Sequence, residues 1–148
     1  MGAGAAPPVR GLRPVAAVAP GVAAATGLSL QQLAAALVGQ LRPAAVVCVD
    51  SLCSAEGQRL GRTVQFSDSG LYPAQADHTR HLTRDTLGVP VVAAGIPTLM
   101  QAQEGADLVV TPRALDSVIS HGAALLAGSI NRALQPRLTV QQLCWLTG

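Results

Sequence analysis

At 148 residues the chain is long enough for one domain with a sizeable core and too short for two of ordinary size. Its formal charge of +2 comes from scattered side chains, the ten basic ones all arginine and never in a run, which excludes an electrostatic footprint for nucleic acid. No stretch of about eighteen apolar residues occurs and the Pro-rich start lacks a signal-peptide pattern, so a cytoplasmic protein without membrane contact is expected.

Residues 1–12 read as a flexible leader, because Gly, Ala and Pro without bulky side chains cannot anchor themselves in a core. Arg13 to Gly27 is apolar but broken by Pro14, Pro20 and Gly21, which predicts a short strand ending in a loop. Ser29 is placed to cap a helix over Leu30 to Leu41, whose leucines at 30, 33, 37 and 41 share one face and which Pro43 stops. Ala44 to Val49 is a continuous apolar run with β-branched residues, the pattern of a strand covered on both faces, and it sets Asp50 at the carboxyl end.

Arg62 to Phe66 alternates as a short edge strand does and leads into the polar turn Ser67-Asp68-Ser69-Gly70. The polar stretch from Tyr72 to Arg84 predicts a loop with a short helix. A second buried strand is expected over Val89 to Ala94, followed by Gly95-Ile96-Pro97-Thr98, with Thr98 as the cap of a further helix. Val109 and Val110 make a third apolar piece. Thr111 and Pro112 are read as the cap and first residue of the longest helix, which carries Leu115, Ile119, Ala123 and Leu126 toward Ala133. The tail from Leu138 can dock as a final turn. Strands alternating with helices predict one α/β domain over 13–148 with a largely parallel sheet.

Asp50 leads the candidates for chemistry. The carboxyl ends of parallel strands are where ligands bind, and an apolar strand would partly desolvate the carboxylate and raise its pKa. Position alone serves equally a carboxylate that caps a following helix through the Ser51 and Leu52 amides. Asp68 lies among Ser67, Ser69 and Gly70, suited either to lining a cleft or to closing an Asx turn. His78 and His81 stand three apart near Asp77 and Asp85, but no third ligand has supporting spacing, so no metal is assigned. Cys48, Cys53 and Cys144 have no CxxC spacing and are read as free thiols in a reducing compartment. Ser54, Ser67 and Ser69 have no GxSxG setting, and no Gly-rich loop precedes a helix as phosphate binding requires. No cofactor is implied.

Five segments, in order, resemble the germination protease family of spore-forming bacteria. They are Arg13-Pro14-Val15 with Ala19-Pro20-Gly21-Val22 and Thr26-Gly27; Val46 to Leu52; Thr63 to Gly70 with Pro73; Thr86 to Thr98; and Val109-Val110-Thr111-Pro112 to Ile130-Asn131-Arg132-Ala133-Leu134. The resemblance implies a three-layer α/β fold similar to hydrogenase maturation peptidases, with a largely parallel sheet flanked by helices. It also implies an aspartic-type endopeptidase, made as a zymogen and assembled as a tetramer, that degrades small acid-soluble spore proteins in the spore core. The family's second functional aspartate matches Asp50. Its first lies in a Thr-Pro-Asp-x-Leu-Gly segment upstream of the Arg-Pro-Val motif, and nothing before Arg13 resembles it. The expectation is therefore an N-terminally shortened form, with a noncatalytic peptide- or subunit-binding relative as the alternative.

Overall fold

The computed structural model describes residues 11–21, 27–72, 81–101 and 109–147. Helix α1, Leu30–Leu41, forms as its local signals dictate. Ser29 accepts the Gln32 amide while the Gln32 side chain accepts the Ser29 N–H, a reciprocal cap, and Arg42 closes the other end in a left-handed turn before Pro43. Strand β1, Val46–Ser54, runs five residues beyond the expected end at Val49. A single 3-10 turn, Gly57–Arg59, and the short strand β2, Gln65–Ser67, follow.

Helix α2, Arg84–Leu87, is one turn capped by Thr83, and Gly88 leaves it in the left-handed region. Strand β3 spans Val91–Gln101, and β4 is Val109–Val110. Helix α3, Leu115–Leu134, starts three residues after Pro112, because Arg113 and Ala114 form a turn first; Thr111 is therefore not its cap. The tail forms helix α4, Val140–Thr147. Residues 11–21 hold no strand, so that part of the expected strand over Arg13 to Gly27 does not form. Among the described residues no helix is long and apolar enough to cross a membrane.

One open sheet of four strands, with helices, makes this a mixed α/β fold. β3 is its centre. β1 pairs with it in parallel from Val46 beside Val91 to Ser54 beside Met100, whereas β2 and β4 pair with it antiparallel. The expectation of a largely parallel sheet is corrected to one parallel pairing and two antiparallel ones. Strand direction depends on how the connections return, which apolar runs do not encode. The β1–β3 register slips between Leu52 and Cys53, next to Pro97, which has no N–H to give the ladder.

The chain forms two compact units. Residues 19–122 contain the sheet, α1, α2 and the first turns of α3. In this unit Cys48, Leu71, Leu82, Leu87, Val91 and Ala93 form a buried cluster, against which Leu30, Ala34 and Val38 of α1 pack. On the other sheet face, Gly122 of α3 comes so close to Ile96 that a Cβ there would meet its side chain. Residues 123–148, with the start of the chain to Val18, form the second unit, where Leu126 and Leu138 are buried. There Arg132 donates to the carbonyls of Pro136 and Leu138, and Gln135 exchanges two hydrogen bonds with the Arg13 backbone.

Candidate functional site

Asp50 is the middle residue of β1, level with Gly95 of β3. A Cβ at Gly95 would collide with the Asp50 carbonyl oxygen and with the Leu52 side chain, so glycine lets β3 press against the main chain that carries the aspartate. The side chain is exposed, which corrects the expected desolvation: α1 covers the sheet around Cys48 and Val91 and leaves Asp50 open. Its Oδ1 accepts the Ser51 N–H at 2.8 Å. The capping alternative foresaw that bond but placed it before a helix, and here β1 simply continues. Burial first, and the Asp50 charge second, push the Cys48 thiol above its ordinary 9.0. Cys48, Cys53 and Cys144 are all free thiols.

Beside Asp50, Ser51 and Thr98 hold their hydroxyls 2.6 Å apart across the β1–β3 seam. Thr98 is buried within β3 and caps no helix, which corrects its expected role. The signal for this pair was the apolar run from Val89, which Gly95 interrupts without ending; Ile96 and Thr98 continue its alternation.

Ser67 ends β2 opposite Ala93, whose other neighbour is Cys48, while Gln65 is level with Gly95 and hence with Asp50. Asp68 therefore lies two strand spacings across the sheet, about 10 Å, and three residues along it, about another 10 Å. The register does not bring Asp50 and Asp68 together. Ser67 and Ser69 share a 2.6 Å hydroxyl contact, the Ser69 N–H donates to Ser67 Oγ, and Tyr72 donates to the Ser69 carbonyl. These bonds shape the turn. Gly70, at φ 104°, then lets the chain pass the Leu82 carbonyl, where Leu71 and Leu82 exchange both backbone hydrogen bonds.

His81 packs its ring against Tyr72 at 4.8 Å between centroids. His78 and Asp77 lie outside the described residues, and among those described no group of three His, Cys, Asp or Glu is placed to hold a metal. His121 is exposed on α3, its Nδ1 3.1 Å from Ser117 Oγ. What the arrangement offers chemically is one solvent-facing carboxylate on β1, a half-buried hydroxyl pair beside it, and a hydroxyl-rich turn at the far side of the sheet.

A family model described as germination protease matches residues 8–104. The chain is 29% identical to the germination protease of Clostridium perfringens strain 13 over 180 aligned positions, covering 89% of this chain and 55% of the relative. It is 37% identical over 113 positions to that of Halalkalibacterium halodurans, covering 75% of this chain and 29% of the relative. It is 33% identical over 129 positions to that of Bacillus subtilis, covering 85% and 34%. The chain thus spans about half the length of the Clostridium relatives and about a third of the Bacillus ones. The alignment of 180 positions exceeds the 148 residues present here, so the Clostridium protein carries additional residues within the aligned span. Because the family model covers the larger part of the chain, including both strands that position Asp50, the chain belongs to the germination protease family.

Proposed function

We propose that this chain is a germination protease-like endopeptidase domain that cleaves small acid-soluble spore proteins, with Asp50 as its working carboxylate. The observation that carries the reading is a solvent-facing aspartate in the middle of β1, inside the stretch that matches the family. In peptide hydrolysis the oxygen of water bonds to the carbonyl carbon, water gives up a proton, and the C–N bond breaks as the amine takes a proton. Asp50 is the base that accepts the first proton, and the protonated carboxyl is the acid that returns it to the departing nitrogen. Ser67, Asp68 and Ser69 line the outer reach of the same surface in this proposal. Its finer points are a three-layer arrangement related to hydrogenase maturation peptidases, zymogen processing, tetramer assembly and action in the spore core.

A second reading is a noncatalytic relative that holds a peptide or a partner subunit. The register favours it at one point, since it carries Asp68 away from Asp50 and, among the described residues, brings no other carboxylate level with it. Incubation of the chain with a small acid-soluble spore protein, followed by mass spectrometry, separates the two. Discrete fragments that vanish in Asp50→Asn are expected, a loss of at least about a hundredfold for removal of a general base. Cleavage unchanged in the variant sinks the role of Asp50, and intact substrate recovered bound to the chain establishes the second reading.

A further inference from the structure

Strands β1 and β3 pair residue for residue from Val46 beside Val91 to Leu52 beside Pro97, and resume with Cys53 beside Leu99. Thr98 stands opposite no residue of β1, so it is the extra residue of a bulge, an uncommon feature in a parallel pair and one that can re-aim a side chain. Regular pairing would set Thr98 level with Cys53, two residues or about 7 Å beyond Ser51. The bulge shortens that span and brings the two hydroxyls to 2.6 Å. Thr98 is 6% exposed, and a hydroxyl so buried needs a partner; Ser51 supplies it from the exposed end of the contact.

Ser51 also carries the N–H that holds Asp50. Val46 donates its N–H to the Pro90 carbonyl on the β3 side, so alternation along β1 turns the Ser51 N–H away from β3, where Asp50 Oδ1 accepts it at 2.8 Å. An exposed aspartate otherwise samples several staggered rotamers. Its bond to the next N–H selects among them and lasts only while the Ser51 peptide keeps its tilt. The ladder is a weak hold on that peptide, because the register slips between Leu52 and Cys53. We propose that Thr98 is a positioning residue for Asp50: its hydroxyl ties Ser51 to β3 and thereby fixes the N–H on which the carboxylate rests. The effect on catalysis rests on the peptidase reading; the relay from Thr98 through Ser51 to Asp50 does not. With Oδ1 engaged by the Ser51 N–H, the proton of water goes to Oδ2 in the reaction proposed above.

Thr98→Val, Thr98→Ser and Ser51→Ala test this in the full chain. The readouts are kcat and KM for cleavage of a small acid-soluble spore protein and, independently of activity, the NMR shift of the Ser51 amide proton in the Thr98 variants. Thr98→Val is expected to lower kcat about tenfold with KM within about twofold, and to move the Ser51 amide proton toward its position in Asp50→Ala. Thr98→Ser, which keeps the hydroxyl, is expected to restore both. Ser51→Ala breaks the same contact from its exposed end and answers the question if Thr98→Val does not fold. It is expected to match the loss of kcat and to lower the urea midpoint as well, because it leaves the Thr98 hydroxyl buried without its partner. A kcat within about twofold of the parent in either folded variant, or the full loss repeated in Thr98→Ser, overturns the proposal. Absence of cleavage by the parent sinks the peptidase reading instead. The relay is then judged on the Ser51 amide alone: displacement in Thr98→Val and not in Thr98→Ser sustains it, and a parent position in Thr98→Val overturns it.

Discussion

Cys48 and Val49 are neighbours in β1, yet Cys48 is sealed beneath α1 and Val49 is half open to solvent. The division continues across the sheet. Cys48, Leu52, Val91 and Ala93 face the helix-covered side, whereas Val47, Val49, Val92 and Phe66 are exposed on the other, where Ala94 is buried between its neighbours and Gly122 of α3 lies against Ile96. An apolar run such as Ala44 to Val49 reports that a strand is meant to be covered on both faces. It does not report what covers it. One face is closed by this chain's own helix, and on the other Val47 and Val49 stay exposed.

The sharpest way to break that contrast is at Gly95. A valine there drives its Cβ into the Asp50 carbonyl and the Leu52 side chain, on the covered side, where nothing can yield without parting β1 from β3. A loss of about 3 kcal/mol is expected, at the upper end for overpacking, read as a lowered urea midpoint. A midpoint within error of the parent would mean that the two strands are not held together at this register.

A smaller effect compares the faces directly. Val91 is 2% exposed, so Val91→Ala is expected to cost about 2 kcal/mol in lost burial and cavity. Val49→Ala, on the open side, should stay within about 0.5 kcal/mol. Equal costs in urea titrations would mean that the open face is covered in solution.

How much of this was legible in the sequence follows the range of the forces involved. α1 is found residue for residue, because Ser29, Gln32, the leucine spacing and Pro43 all act within one helix. β1 and β3 are found but cut short. Their later halves, with Asp50, Ser51, Gly95 and Pro97, look like a loop in isolation and become strand only by pairing with each other. The same non-local cause hid the Ser51–Thr98 contact and made Thr98 look like a cap. Thr111 and Pro112 carry a valid start signal that the structure uses three residues late, after a turn. Asp50 was legible as a candidate; its exposure was not, because the reach of α1 across the sheet is a tertiary fact.

The mildest test uses Cys48 as a reporter of the covered side. Its thiol is held above its ordinary 9.0 by burial and then by Asp50, so the folded chain retains this proton where the unfolded chain releases it. The contribution to stability is therefore intact below pH 9 and is lost as pH rises from there through the folded value. The urea midpoint is expected to fall between pH 8 and pH 10 for the parent and to fall less for Cys48→Ala, whatever the variant costs at neutral pH. Iodoacetamide at pH 8 should label Cys53 and Cys144, both exposed, at least about tenfold faster than Cys48, since the thiolate is the reacting form. If all three label together, α1 does not stay closed over β1, and the two faces differ in the folded average without differing in protection.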